Sequence, residues 1–196
     1  EYFYNFEALN NDFTVDLKTN KITYHNKHNE NEWNVTLVDT GLNTLKGGRI
    51  KRIKKYLDDN VNMLTYGDGV ADIDVNALLE FHNSHGKIIT VSGVRPSSLF
   101  GEFEEVNGRV VSFTEKAKSA KSFINGGFMV FSKELLDYLT EDEDCDFEFG
   151  PLENLASQGE VMVYKHGGNW ECMDHERDVI YLNKLWKENK AFWKVW

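Results

Sequence analysis

Met63-Leu64-Thr65-Tyr66-Gly67-Asp68-Gly69-Val70-Ala71-Asp72 runs from an apolar segment into a carboxylate held between two glycines. A strand ending in this way presents Asp68 at the carboxyl edge of a sheet, where open α/β sheets take their ligands. Gly67 and Gly69 leave room for a phosphate or a metal to approach the backbone. The same tripeptide also suits a turn in which Asp68 only bonds neighbouring N–H groups. The surroundings of the segment decide between the two.

Downstream, Val75, Leu78, Leu79 and His82 form one stripe of a helix that stops at Gly86. Lys87 to Val94 is a near-continuous apolar run, the pattern of a strand buried on both faces. Upstream, Trp33 to Val38 reads as a strand, followed by a turn at Asp39-Thr40-Gly41. Gly47-Gly48-Arg49 then leads into a helix whose Ile50, Ile53 and Leu57 share a face. This places Arg49 at a helix start, where backbone N–H groups favour an anion. Three strands alternating with two helices over residues 33–94 predict an α/β protein with a mostly parallel sheet.

The flanking regions are more irregular. Phe13, Val15 and Leu17 face Ile22 and Tyr24 across a turn at Thr19-Asn20-Lys21, a hairpin pattern. Residues 1–9 resemble the end of a helix. Asn107-Gly108 lies between two apolar runs and predicts a second hairpin. Phe123 to Phe131 is a strand interrupted by Gly126-Gly127, as where a bulge or ligand presses on backbone. A short helix opens at Ser132, residues 141–148 read as an acidic loop, and Pro151 starts a helix. Val161 to Tyr164 reads as a strand. Asp174 precedes a terminal helix striped by Val179, Leu182 and Trp186. The 196 residues are expected to form a single domain, with 141–196 as a C-terminal extension packing on the core. The chain opens on Glu1-Tyr2-Phe3, and a further segment is expected to precede it.

A formal net charge of −10 argues against a nucleic-acid partner, whose footprint is a basic patch. Two cysteines outside any paired motif point to a reducing, cytoplasmic setting. The sequence has neither a long apolar run nor a signal-peptide pattern, so no membrane partner is expected.

Four features carry candidate chemistry: Asp68, the pair Glu115-Lys116, Asn125-Gly126-Gly127, and Asp174. Two aspartates at strand-to-helix junctions can share one Mg²⁺, which takes one or two carboxylates together with water and phosphate oxygens. A lysine beside them offsets phosphate charge. The plainer roles are a helix N-cap for Asp174 and a solvated surface cation for Lys116.

As an ordered set, these words resemble the sugar-phosphate nucleotidyltransferases, and within them the glucose-1-phosphate cytidylyltransferase branch. The matching stretches are Trp33 to Gly41, Gly47-Gly48-Arg49-Ile50-Lys51-Arg52, Thr65 to Asp72, Glu115-Lys116, Ile124 to Phe128 and Met173-Asp174. The resemblance implies a Rossmann-like three-layer α/β/α sandwich with a mixed, mostly parallel sheet. It implies transfer of a cytidylyl group from CTP to α-D-glucose 1-phosphate, giving CDP-glucose and pyrophosphate for dideoxyhexose and O-antigen synthesis. A UTP- or dTTP-dependent relative, or a non-catalytic sugar-phosphate binder, is the alternative. The resemblance further implies Mg²⁺ on Asp68 and Asp174, and Thr40, Gly41 and Thr44 near the cytosine. Arg49 then lies near the nucleotide, Gly67 beside it, and Glu115 on sugar hydroxyls. Lys116 meets the sugar phosphate, and Asn125 and Gly126 line the hexose pocket. Asp68, Lys116 and Arg49 are the catalytic set so implied, in a homo-oligomer. Two departures stand out. The family's glycine-rich phosphate loop and first strand have no counterpart in these residues and belong ahead of Glu1; without them the 196-residue piece is expected to be poorly active. The family's Glu-Lys-Pro is Glu115-Lys116-Ala117 here.

Overall fold

The computed structural model describes residues 1–25, 33–96, 102–114 and 123–195. The chain divides into two compact units, Glu1–Asp39 and Thr40–Trp196. The first unit holds a short helix α1 (Phe6–Asn10) and an antiparallel hairpin of β1 (Phe13–Asp16) and β2 (Lys21–Tyr24). The hairpin register pairs Phe13 with Tyr24 and Val15 with Ile22, as the alternation predicts. Trp33 to Val38, expected as a strand, is not one. Alternating apolar residues make a strand only where a neighbour takes up the backbone hydrogen bonds, and Trp33, Val35 and Leu37 are exposed in this unit.

The second unit contains α2 (Lys46–Arg52), β3 (Val61–Thr65), β4 (Gly69–Ala71), α3 (Val75–His85) and β5 (Ile89–Val94). The hairpin β6 (Glu102–Val106) and β7 (Arg109–Thr114) follows, then β8 (Ile124–Ser132), α4 (Glu153–Ser157), β9 (Val161–Lys165), β10 (Trp170–Cys172) and α5 (Glu176–Lys187). The main sheet has the order β3-β8-β5-β9. β8 is antiparallel to both β3 and β5, and β9 is parallel to β5. Three strands therefore run one way and β8 alone is reversed, which makes the sheet mixed. Among the described residues, no helix is long and apolar enough to cross a membrane.

Both faces of the sheet are covered, giving the layered α/β arrangement. Met129 and Phe131 of β8 pack with Ile50, Leu135, Phe147 and Leu155. Val130, one residue out of phase, packs on Leu78 of α3 and on Ile73. β5 is buried along its whole length, as its unbroken apolar run demands. α3 matches its expected limits: the Asp74 carboxylate caps Asn76 and Ala77 N–H, and Gly86 closes the helix at φ 64°. The Asn107-Gly108 turn has both residues at positive φ, as a two-residue hairpin needs.

The second half departs from local pattern in its details. The short helix expected at Ser132 is a 3-10 helix over Lys133–Tyr138, and the α-helix after Pro151 begins only at Glu153. Of the α5 stripe, Leu182 is buried while Val179 and Trp186 are exposed. Residues 141–196 pack into the second unit. They supply the sheet strand β9 and the core side chains Phe147 and Leu155.

Behind the sheet, His82 and His85 share one hydroxyl. Lys87 N–H donates to His85 Nδ1 at 3.0 Å. His85 Nε2 then carries the proton and donates to Thr90 Oγ1 at 2.7 Å, and Thr90 in turn donates to His82 Nδ1 at 3.0 Å. Both imidazoles are thereby held neutral. Burial, then the neighbouring His85, lowers the pKa of His82; burial, then Lys87, lowers that of His85. Because the unfolded histidines take protons near pH 6.5 and the folded ones resist, stability is unaffected well above that pH. It falls as the pH drops through 6.5 towards the folded values. Thermal melts between pH 8 and 5 should show this loss. His82→Asn, which keeps an acceptor for Thr90 but does not titrate, should reduce it.

Candidate active site

Asp68 lies in the bend between β3 and β4 rather than at the end of a strand leading into a helix. β4 pairs with β10 in a short antiparallel ribbon, with Gly69 opposite Cys172 and Ala71 opposite Trp170. The ladder continues one step, where Met173 N–H donates to Asp68 O at 2.8 Å. This pairing brings the two distant aspartates together. Ligand atoms of Asp68, Cys172 and Asp174 all lie within 4.8 Å of one another. Asp174 is not the helix cap. α5 begins one residue later, with His175 as N-cap and its N–H donated to Asp178 at 2.9 Å.

The third group is a half-buried thiol, protonated when no cation is bound. Burial, followed by a hydrogen bond to Asp174 and the charges of Asp174 and Asp68, pushes Cys172 up to about 11. That leaves two exposed carboxylates as charged donors. An all-oxygen pair with open positions around it suits a hard cation that retains water. Zinc, which favours thiolate and imidazole, suits it poorly. The residues present therefore fit a magnesium-type ion.

The hexose-pocket candidates adjoin this ribbon. Trp170 Nε1 donates to Gly126 O at 2.8 Å, Tyr66 N–H donates to Gly127 O at 3.0 Å, and Asn125 Oδ1 accepts from Gly127 N–H at 2.9 Å. Gly127 sits at φ 78°, a conformation open to glycine. Gly67 is exposed, and a Cβ added there would meet open space. Glu115 and Lys116 lie outside the described residues.

The residues expected at the base and nucleotide form a second group. Thr40 and Arg49 line a cavity of about 240 Å³ with Lys46, Thr65, Tyr66 and Phe147. Arg49 is not at a helix start, because Gly47 and Gly48 are themselves inside α2. Its guanidinium is held by Thr40 Oγ1 at 2.7 Å and Leu42 O at 3.0 Å. The glycine pair instead lets segment 142–146 press on the helix. A Cβ at Gly48 would lie 2.4 Å from Asp142 O, and one at Gly47 2.5 Å from Asp146 O. Thr44 is buried, its hydroxyl accepting from Arg52 at 2.7 Å, and Gly41 turns at φ 89° beside it. Thr44 and Gly41 thus shape the loop, while Thr40 faces the cavity.

Sequence reasoning missed Tyr66, Lys46, Glu148, Trp170 and Cys172. Glu148 accepts from the Tyr66 hydroxyl and from Lys46 Nζ, the latter at 2.5 Å, with Lys46 also 4.9 Å above the Tyr66 ring. Burial, then the bond and charge of Glu148, drives the Tyr66 phenol well above its ordinary range. Nothing in the spacing of these residues signals the cluster. The Trp170-Glu171-Cys172 run was the one available hint of a strand beside Asp174.

The nucleotidyl transferase family profile matches residues 8–188 of this chain. The chain belongs to the nucleotidyl transferase family. Glucose-1-phosphate cytidylyltransferase of Salmonella typhi is 44% identical over 197 residues, covering 100% of this chain and 76% of the relative. A probable glucose-1-phosphate cytidylyltransferase of Bacillus subtilis is 38% identical over 196 residues with the same coverage. Solved structures share the fold at lower identity. HddC of Yersinia pseudotuberculosis aligns at TM-score 0.53 and 21% identity, covering 72% of this chain and 62% of that one. The inositol-1-phosphate CTP transferase of T. maritima aligns at TM-score 0.52 and 15% identity, covering 78% and 64%. The chain thus spans less than two thirds of the length of these two solved structures.

Proposed function

We propose that this nucleotidyl transferase moves the cytidylyl group of CTP onto α-D-glucose 1-phosphate, releasing pyrophosphate and forming CDP-glucose. The carrying observation is the convergence of Asp68 and Asp174 on one spot. The choice of base and sugar is supported by relatives at 38–44% identity that bear the cytidylyltransferase name.

In this reading a phosphate oxygen of glucose 1-phosphate attacks the α-phosphorus of CTP. The new P–O bond forms as the bond to the pyrophosphate oxygen breaks, with both reacting groups already anionic. No side-chain nucleophile is needed, so catalysis consists of positioning and charge neutralisation. Asp68 and Asp174 would hold Mg²⁺, which supplies Lewis-acid neutralisation of phosphate oxygens. Lys116 is assigned to the sugar phosphate and Glu115 to the sugar hydroxyls. Asn125 and Gly126 line the hexose side. Thr40 and Arg49, with Gly41 and Thr44 shaping their loop, frame the nucleotide side. Arg49 acts there as a fixed positive wall, because its guanidinium is already tied to Thr40 and Leu42. The reading places the reaction in the cytoplasm, in a homo-oligomer, as a supply of activated glucose for dideoxyhexose and O-antigen synthesis.

Pyrophosphate release should be measured with glucose 1-phosphate, Mg²⁺ and each of CTP, UTP and dTTP. Turnover is expected with CTP at least tenfold above the others. Preference for UTP or dTTP would overturn the base assignment, and sugar-phosphate binding without pyrophosphate release would overturn catalysis.

A further inference from the structure

The β4–β10 ribbon that joins Asp68 to Asp174 is only three residues long on each strand and forms its own two-stranded sheet. No tight turn links its strands, since α3 and β5 to β9 intervene in sequence. Isolated two-stranded ribbons are marginal. A slip of one residue in register would turn every side chain to the opposite face. Such a slip would part the two aspartates, so something beyond the ladder must fix the register.

The end of the ribbon away from Asp68 carries a dense clamp. The Asp72 carboxylate accepts from Asn169 N–H at 2.8 Å and from Asn169 Nδ2 at 2.7 Å. His166 Nε2 lies 3.0 Å from Asp72 Oδ1. Asp72 N–H completes the clamp by donating to Asn169 O at 3.3 Å. Both oxygens of Asp72 are engaged. Burial alone would raise its pKa, but the Asn169 bonds and His166 outweigh this and hold it below the usual carboxylate value. The fit is tight: a Cβ at Gly168 would lie 2.3 Å from Asp72 Oδ1, so only glycine lets the loop close on the carboxylate. The clamp is tied to the main sheet, because His166 N–H donates to Gly93 O of β5 at 2.9 Å. Trp170, within the ribbon, is pinned to Gly126.

We propose that Asp72 is the positioning residue of the divalent-cation site. By locking the register of β4 against β10 through Asn169 and His166, it sets the approach of Asp68 to Asp174 from about 13 Å along the ribbon. It touches neither substrate nor cation. The inference rests on the two aspartates holding a cation, as in the functional reading above.

The test uses Mn²⁺ as an electron-spin-resonance probe, titrated into the full chain well below its melting temperature. Asp72→Asn places an amide N–H against the Asn169 amide, so Mn²⁺ affinity is expected to fall about tenfold, the low end for residues that orient metal ligands. The double variant Asp72→Asn/Asn169→Asp restores a donor–acceptor pair and is expected to recover part of the affinity. General loss of stability would lower the melting temperature without moving the affinity of the folded fraction. Wild-type Mn²⁺ affinity in Asp72→Asn would overturn the proposal. Where Asp72→Asn does not fold, Asn169→Ala removes the side-chain bond alone. A fall in affinity in that variant supports the proposal and an unchanged value overturns it. Asp68→Ala tests the cation site itself: unchanged Mn²⁺ binding there would overturn the cation reading, whereas failure of the Asp72 variants alone leaves that reading standing.

Discussion

Asp68→Ala is expected to cut pyrophosphate release by about a thousandfold, the equivalent of roughly 4 kcal/mol of charge stabilisation, while the fold persists. Asp68 is exposed, and its carboxylate faces the Asp174 carboxylate. Two like charges this close repel each other when nothing lies between them. The variant should therefore melt at the wild-type temperature or slightly above it in metal-free buffer. Wild-type protein should gain stability when Mg²⁺ or Mn²⁺ is added, since a ligand of the folded state raises its melting point. Asp68→Ala should lose most of that gain. Melting curves with and without the cation, beside a pyrophosphate assay, check both halves. Undiminished turnover, or an unchanged cation-induced shift, would remove Asp68 from the site.

Phe147→Ala is expected to be among the most destabilising single changes in the molecule. Phe147 is fully buried and packs among Ile50, Phe131, Leu135 and Leu155, on the face of the sheet opposite α3. Truncating such a side chain removes its transfer free energy and leaves a cavity, at a cost of about 3–5 kcal/mol. For a chain of this size, that corresponds to a fall of roughly 10 °C in melting temperature, readable by calorimetry. The neighbouring cavity lined by Thr40, Arg49 and Tyr66 also has Phe147 in its wall. Nucleotide binding should therefore weaken along with stability. A shift of only a degree or two would mean that this wall repacks freely.

Phe147 also marks a limit of reading sequence by local pattern. It stands in Asp144-Cys145-Asp146-Phe147-Glu148, an acidic run that local composition assigns to a solvated loop. Its burial follows from Gly47 and Gly48, whose missing side chains let segment 142–146 lie against α2. The glycine pair looked like the opening of an anion-binding helix because spacing cannot reveal what presses on a residue from a distant part of the chain. The place of Arg49 inside α2, past the helix start, was hidden for the same reason. The charge of Arg49 suggests a phosphate partner, while Thr40 and Leu42 accept from two of its five N–H donors and fix the guanidinium in place.

Several features were decided locally and so were legible in the sequence. The Asp74 cap and Gly86 stop of α3, the paired positive-φ turn at Asn107-Gly108 and the fully buried run of β5 each depend on backbone preference or hydrophobic period within a few residues. The ordered motifs around Asp68 and Asp174 likewise marked both aspartates for a shared role. What only the tertiary structure decided is how they meet. A ladder between residues 69–71 and 170–172 carries them together, and a strand pairing across that separation leaves no periodic trace in either partner. The clamp of Asp72 on Asn169 and His166 was hidden for the same physical reason. Hydrogen bonds between distant segments are chosen by the packed fold as a whole, whereas local sequence sets only what each segment is able to offer.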